Sequence, residues 1–574
     1  MVVPPRQADR AAHTMRITDA VAKALTGLGA DTVFGVVGSG NFHVTNALIG
    51  HGARYIAARH ECGATTMADA WARMTGRPGI VTLHQGPGLT NALTGITEAA
   101  KSRTPLVVLA ADVSARAVTS NFRLDFDAIT GGTGATPARL HSAGFAVDDA
   151  VRAYRMARDE RRTVVLALPL DVQAAECIWP GDPEPRVAEP RPPDALQAAD
   201  LARILAAAER PVFIAGRGAR CSAARAALER VADSCGALLA TSAVAKGLFR
   251  GSPWDLDVSG GFASPLAAEL IRGADVVVAW GCSLNMWTTR HGTLIGDKAT
   301  IVQVDCEKSA IGQHQRVQHA VIGDVTLTAE AVGELLQGEP SVPGSADGGD
   351  PEPAWRGYRS AELRDRLAAE VQWRNVPFDD SSDGERIDPR LVTKVLDEML
   401  PGERVVAVDS GNFMGYPSMF LSVPDQDGFC FTQAYQSIGL GLATAIGAAI
   451  ARPDRLPVAA LGDGGALMGI SELETAVRLE LPMVIVIYDD EAYGAEVHHF
   501  GPDGFPLDTV RFPAADIASI ARGFGCDAVT VRRAEDLEPV RDWLSARPPR
   551  PIVIDAKVVS DRGAWWLEEA FRGH

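Results

Sequence analysis

Residues 461–494 read LGDGGALMGISELETAVRLELPMVIVIYDDEAYG. The apolar run just before, PVAAL (457–461), predicts a strand that stops at Gly462-Asp463-Gly464, with Gly465 next, and glycines there let a ligand approach the backbone closely. Ser471 and Glu474 have capping-box spacing, which predicts a helix start, and Pro482 lies just past that helix's end. MVIVIY (483–488) is then the next strand, stopping at Asp489-Asp490. A strand–helix–strand connection of this kind is right-handed and parallel, so both acidic turns fall at the carboxyl edge of one sheet, where open α/β sheets bind ligands. Asp463 and Asp490 are therefore expected to be neighbours in space. Two carboxylates and a loop carbonyl beside phosphate oxygens make a hard-oxygen site suited to Mg2+. The plainer alternative is a tight turn at GDG and a solvated helix cap at Asp489-Asp490; the pairing of the two turns around one helix favours the metal.

The same alternation runs outward along the chain. DTVFGVV (31–37), PGIVTLH (78–84), TPLVVLAADV (104–113), PVFIAG (211–216), DVVVAWG (275–281) and ATIVQVD (299–305) are continuous apolar runs separated by Ala- and Leu-rich amphipathic segments. Strands of that kind belong to parallel sheets covered on both faces. Two Pro-, Gly- and acid-rich stretches, 179–195 and 338–354, look like linkers. The expected architecture is α/β, with three doubly wound parallel-sheet domains at 14–178, 195–337 and 386–558 and a tail at 559–574. No short-period repeat is evident.

Composition narrows the function. The 574 residues exceed one hydrophobic core, and 47% hydrophobic with 22% charged residues is an ordinary globular balance. A formal net charge of −17 with no basic stripe argues against a nucleic-acid partner. The eight cysteines are scattered with no CxxC pair, which reads as reduced thiols rather than a disulfide or zinc framework. MVVPPRQADRAAHT at the start has no apolar core, and no run approaches the roughly 18 apolar residues of a membrane span. A cytoplasmic enzyme with no membrane partner is expected.

Residues 461–494 resemble the motif of thiamine-diphosphate enzymes, in which GDG is followed after a helix and a strand by an Asn-Asn pair. The resemblance implies thiamine diphosphate and Mg2+ as cofactors, with the metal held by Asp463, Asp490 and the backbone carbonyl of Ala492. Here Asp489-Asp490 stands where the family has Asn-Asn, which adds negative charge beside a diphosphate unless a nearby cation compensates. AARHECGATTMADAWARMTGRPGIVTLHQGPGLTNALTGITEAAKSRTPLVVLAADV (57–113) resembles the pyrimidine-binding domain of acetolactate synthases and their relatives. There the glutamate of an (R/H)E-x-x-A motif bonds N1′ of the aminopyrimidine; the matching residue is Glu61, whose carboxylate promotes deprotonation of the thiazolium C2 to the ylid. On its own Glu61 reads as a surface helix residue; the surrounding match gives it the catalytic role. GPGLTN (86–91) looks like the loop after a strand that lines the same pocket. VVAVDSGNFMG (405–415) resembles the strand whose end holds the diphosphate and implicates Gly411, Asn412 and Phe413. FTQAYQSIGLGLATAIGAAIARPDR (431–455) resembles the segment carrying an apolar wedge beneath the cofactor, which would be Ile438; ordinary core packing is the alternative. Tyr493 and Gly494 should border the diphosphate and substrate. The family's cofactor spans two chains, so a homodimer or homotetramer is implied. In the middle domain GRGAR (216–220) is a partial glycine pattern; acetolactate synthases bind FAD in that domain and many relatives bind nothing, so FAD is a candidate only.

Ser39 in FGVVGSGNF and His84 in TLHQGPG occupy places where benzoylformate decarboxylase-like enzymes have a Ser and a His facing the reacting carbon. A histidine there can transfer a proton or orient a carboxylate; the alternative is a core histidine bonded to backbone. His498-His499 reads as a solvated pair, of which at most one could reach the pocket. RHECGA, GPGLTN and TSAVAKGLF (241–249) lean toward the acetolactate synthase group, but LDFDAITGGTGATPARL (124–140) replaces the phenylalanine–glutamine–glutamate stretch of those synthases. That departure points to a specialised carboligase or decarboxylase of a small 2-oxo acid, with acyl-anion transfer as the first reading. A simple decarboxylase or acyl lyase is the second, and a non-catalytic paralogue acting as a subunit is a third that Glu61 and Asp463 argue against.

Overall fold

The computed structural model describes residues 14–337, 356–560 and 563–570. The predicted linker at 338–354 lies outside them, as does part of the predicted tail. The segment after Trp179 runs without helix or strand until Asp194, whose carboxylate accepts the Leu196 and Gln197 N–H groups and starts the helix Ala195–Ala207.

Three six-stranded sheets carry the chain, each parallel throughout, as the continuous apolar runs predict. The first is ordered Arg54–Ala57, Thr32–Gly35, Gly79–Leu83, Leu106–Asp112, Thr163–Pro169, Thr136–Arg139. The second runs Asp255–Val258, Leu238–Thr241, Pro211–Ala215, Val276–Trp280, Thr300–Asp305, His319–Ile322. The third runs Phe429–Phe431, Arg404–Val408, Leu456–Gly462, Val484–Asp489, Ile552–Lys557, Asp527–Val531. Counted in chain order within each sheet, the first and third share one order, 2-1-3-4-6-5, while the second has the dinucleotide-fold order 3-2-1-4-5-6. The kinship of the first and third sheets is invisible in a search for sequence repeats. Two short strands of the same unit as the first sheet, Thr14–Arg16 and Glu176–Ile178, pair antiparallel.

Side-chain alternation fills both faces of a sheet. In the second, Phe213 and Ala215 pack with helices Ala195–Ala207, Ser222–Cys235 and Val325–Gln337. Val212 and Ile214 pack instead with Pro265–Arg272. In the first, Ile80, Val107, Leu109 and Val164 share a core with helices Ile17–Gly27 and Ala146–Asp159.

The chain divides into two compact units: residues 1–188 with 432–451 and 469–479, and 189–431 with 452–468 and 480–574. Helices Gly441–Ala451 and Glu472–Arg478, which lie in the chain among the third sheet's strands, thus cluster with the first unit. Gly447 is a glycine because a Cβ there would fall 2.2 Å from the Met67 carbonyl oxygen. Two local expectations fail. Ser471 makes no side-chain cap and is itself helical, because backbone bonds from Glu472, Leu473 and Glu474 to residues 469–471 already close that turn, and Glu474 is taken up by Arg478. GPGLTN is mostly helix rather than loop: Gly86, at φ +65°, delivers the chain to Pro87 at the first position of Pro87–Lys101. No described helix is long and apolar enough to cross a membrane.

Candidate active site

In a sheet of order 2-1-3-4-6-5 the winding reverses between the first and third strands, and the loops leaving those strands open a crevice at the carboxyl edge. For the first sheet these are the loops after Thr32–Gly35 and Gly79–Leu83, the positions of Ser39 and His84. His84 Nδ1 accepts the Gly40 N–H at 3.1 Å, so in the neutral ring the proton sits on Nε2. The ring lies edge-on to Phe122, with centroids 5.3 Å apart. Gly38 and Gly40 wrap it so closely that a Cβ on either would come within 2.7 and 3.0 Å of ring atoms. His84 is half-buried and backbone-bonded but not a core residue, and Ser39, between the two glycines, is exposed.

Glu61 opens the helix Glu61–Thr75, capped by His60, whose Nδ1 accepts the Cys62 N–H. It is half-buried, and Asn91, in the first turns of Pro87–Lys101, donates Nδ2–H to its Oε2 at 3.1 Å. A Cβ on Gly88 would lie 3.7 Å from Glu61 Oε1 and 3.1 Å from the His84 Cβ, so Gly88 is the floor between the two. Asn91 belongs to GPGLTN but has no role legible there, because only the fold shows that it faces Glu61. Glu472 also escapes sequence reasoning. This buried carboxylate accepts the Arg59 and His60 N–H groups and the Thr475 hydroxyl, tying down the backbone immediately before Glu61. Burial first, against those bonds, pushes its pKa up. Ile438 sits half-buried on the loop ahead of Gly441–Ala451, outside the buried core.

The third sheet has the equivalent crevice between Arg404–Val408 and Leu456–Gly462. Gly411 turns the first loop at φ +140°, and a Cβ on Gly411 or Gly462 would press on the Phe413 ring. Phe413 in turn stacks on Tyr488 at 5.2 Å. The strand Leu456–Gly462 passes straight into a six-residue helix at Asp463, which is buried. A Cβ on Gly464 would meet the Tyr493 ring at 2.6 Å, and one on Gly494 would lie 2.3 Å from Asp490 Oδ2 and 3.2 Å from the Asn412 Cβ. Gly411, Asn412, Phe413, Gly462, Asp463, Gly464, Asp490, Tyr493 and Gly494 therefore line one crevice. Gly465 is buried in the helix behind Asp463. Ala492 follows Glu491, a non-glycine residue at φ +57° whose carboxylate is held by Arg386 at 2.8 Å.

Charge is disfavoured on the carboxyl groups of this crevice. Burial, then the charges of Asp490 and Asp489, pushes the Asp463 carboxyl up to about 8. Burial pushes Asp490 up to about 6, against a 3.3 Å hydrogen bond from Ser560. Asn412 Oδ1 is buried with no hydrogen-bond partner. Carboxylates that repel one another, an orphaned amide oxygen and a cradle of glycines fit a divalent cation with a polyanion, and Asp463, Asp490 and the Ala492 carbonyl could hold the cation. Among the described residues no group of three or more His, Cys, Asp or Glu side chains is arranged to hold a metal, so a cation here would need oxygen ligands besides these two carboxylates.

Elsewhere, His498 and His499 are both half-buried on the helix Gly494–Phe500 rather than solvated, with His499 edge-on to Phe500. In the second sheet a Cβ on Gly216 or Gly218 would collide with the Gly281 backbone at 2.4 and 2.8 Å. The crossing of two loops explains those glycines.

Comparison with known proteins accords with these two crevices. Residues 15–131 match the thiamine pyrophosphate enzyme N-terminal TPP binding domain, 198–332 the central domain and 409–556 the C-terminal TPP binding domain. The chain is 30% identical to a probable 2-ketoarginine decarboxylase of Pseudomonas aeruginosa, over 93% of this chain and 92% of that protein. It is 28% identical to a sulfoacetaldehyde acetyltransferase of Castellaniella defragrans, covering 93% and 91%. It is 26% identical to the chloroplastic acetolactate synthase of Arabidopsis thaliana, covering 94% and 80%.

Proposed function

Because the chain belongs to the thiamine pyrophosphate enzyme family, we propose that it is a Mg2+-dependent carboligase or decarboxylase acting on a small 2-oxo acid. The observation that carries this reading is the pairing of Glu61 with Asn91 beside a tautomer-fixed His84, at the crevice of a sheet that matches the family's N-terminal binding domain. Thiamine diphosphate, when bound, supplies a nucleophilic carbon that adds to the 2-oxo carbonyl and takes up the electron pair left by departing CO2.

The chain's residues do the rest. Glu61 exchanges a proton with the pyrimidine N1′, and Asn91 fixes which carboxylate oxygen faces it. With Nδ1 taken by the Gly40 N–H, His84 keeps Nε2–H as its free donor for a substrate carbonyl or carboxylate; Ser39 adds a hydroxyl on the same loop as Gly40. Asp463, Asp490 and the Ala492 carbonyl would hold Mg2+, whose positive charge would offset the diphosphate beside Asn412 and Gly494. Ile438 would supply the apolar surface beneath the cofactor. The three-domain division, a homodimer or homotetramer with the cofactor shared between chains, and a cytoplasmic location belong to the same reading.

Acyl transfer to a second carbonyl is the first reading of the reaction. Simple decarboxylation is the second, favoured by His84, because a histidine beside the reacting carbon that has taken up a proton can, as the imidazolium, hand it over to end the reaction and return to the neutral ring. Incubating the protein, thiamine diphosphate and Mg2+ with a panel of 2-oxo acids, while following CO2 and ligated products, tests both. CO2 with a ligated product supports transfer, and CO2 with only the aldehyde supports decarboxylation. No CO2 from any member contradicts the proposal.

A further inference from the structure

The Asp489-Asp490 pair places two adjacent carboxylates where one suffices to bind a cation. The strand geometry separates them. Asp489 is the last residue of Val484–Asp489 and pairs in register with Lys557 on the neighbouring strand, so the two side chains leave the same face of the sheet. Asp555, two residues before Lys557, is on that face as well. Lys557 donates to Asp489 Oδ2 and, at 3.1 Å, to the Ala515 carbonyl, and its ammonium lies 3.2 Å from Asp555 Oδ1. Asp489, Asp555 and Lys557 are all buried, at 1%, 1% and 5% exposure. A buried ammonium among two carboxylates is the arrangement in which opposite charges interact most strongly and removal of one is felt most.

The second oxygen of Asp489 is occupied too. Oδ1 accepts the Glu491 N–H at 3.1 Å, the bond that closes the turn in which Glu491 takes φ +57° and leads to Ala492. Asp490, by contrast, lies against Gly494 and Ser560. Asp489 is thus consumed by Lys557 on one oxygen and by the ligand loop's own backbone on the other.

We propose that Lys557 is a positioning residue for the metal centre: by neutralising and pinning Asp489 it fixes the Glu491 turn, so that Asp490 and the Ala492 carbonyl, and not Asp489, face the cation. This inference rests on the reading that the crevice binds Mg2+ and thiamine diphosphate. Lys557 touches neither; it acts through Asp489. In PIVIDAKVV the lysine stands in a largely apolar run two positions after an aspartate, but nothing there points to Asp489, 68 positions away.

The test is thiamine diphosphate titrated into the apo full-length protein by calorimetry at fixed Mg2+, with Mn2+ binding followed in parallel by electron paramagnetic resonance, for the parent, Lys557→Met, Asp489→Asn and the double variant. Lys557→Met should weaken both cofactor and metal by roughly 10–100-fold, the range seen when a partner outside the ligand shell is lost. Adding Asp489→Asn should restore both toward the parent, because a neutral amide no longer needs an ammonium and can still accept the Glu491 N–H. That rescue is a readout that a merely structural lysine would not give, and it is available even if Lys557→Met alone fails to fold, since the double variant keeps only Asp555 as a carboxylate and so returns the cluster to the parent's net charge. A Lys557→Met protein that binds as the parent does overturns the inference, and so does a double variant that folds but binds as weakly as, or more weakly than, Lys557→Met. A parent that takes up no thiamine diphosphate overturns the underlying reading, and the inference with it.

Discussion

The first and third sheets have the same strand order and open the same crevice between their first and third strands, yet the two crevices are lined by opposite chemistry. The first sheet's holds a carboxylate that is hydrogen-bonded by an amide, next to an imidazole with a fixed tautomer. The third sheet's holds carboxylates whose burial and mutual repulsion push Asp463 and Asp490 well above the ordinary range. One set suits proton exchange and the other a cation with its anion. Topology supplies the place, and a handful of loop residues supply the task.

Substitutions in one crevice should therefore move proton chemistry and in the other cofactor affinity. The largest effect is expected for Glu61→Gln, which removes the proton-exchanging carboxylate and should cut turnover of a 2-oxo acid by roughly 10²–10⁴-fold with the melting temperature of the apo protein unchanged; steady-state CO2 release and a thermal melt check it. Next comes Asp490→Ala. Loss of a ligand should weaken thiamine diphosphate binding at fixed Mg2+ by at least the roughly 10–100-fold of an outer-shell loss, whereas Asp490→Asn keeps an oxygen ligand and sheds a charge and should bind as well as the parent or better. Titrating the cofactor into each apo variant separates these; parent-like binding by Asp490→Ala would remove that residue from the metal site. His84→Ala should lower kcat for decarboxylation by about 10²-fold while leaving cofactor affinity alone. Unchanged kcat with a lower melting temperature would make His84 a packing residue. The smallest effect is expected for Asn91→Ala. Losing one hydrogen bond to a charged group is worth about 1.5–3 kcal/mol at most, so cofactor proton exchange should slow by roughly tenfold with affinity little changed, and an unaltered exchange rate would deny Asn91 its role.

Much of this was legible in the sequence, for reasons that can be traced to particular residues. The runs at 31–37, 78–84, 104–113, 211–216, 275–281, 299–305, 457–461 and 483–488 each overlap an observed strand, because central parallel strands are buried on both faces and so read as unbroken apolar stretches. Short outer strands such as Arg54–Ala57, Phe429–Phe431 and His319–Ile322 carry no such run and escape notice. Ser471 had the spacing of a cap, but the backbone of Gly469–Ser471 closed the turn without it. Gly462 and Asp463 stood out because a glycine and a carboxylate at a strand's end suit backbone approach and a cation, whereas Gly411 and Gly494 stood out only through the resemblance. Asn91, Glu472 and Lys557 were not, because each is defined by a partner remote in the chain: Glu61, the Arg59–His60 backbone and Asp489. The equal strand orders of the first and third sheets leave no periodic trace, since backbone topology survives when side chains have been exchanged for different chemistry.

The division of labour between the two crevices is tested most directly by exchange of the cofactor's C2 proton for deuterium, measured by quenched-flow NMR on Glu61→Gln and on the parent, both saturated with thiamine diphosphate and Mg2+. Glu61→Gln should bind the cofactor nearly as the parent does and exchange roughly 10²–10⁴-fold more slowly. Exchange at the parent's rate in a fully loaded Glu61→Gln protein would contradict it.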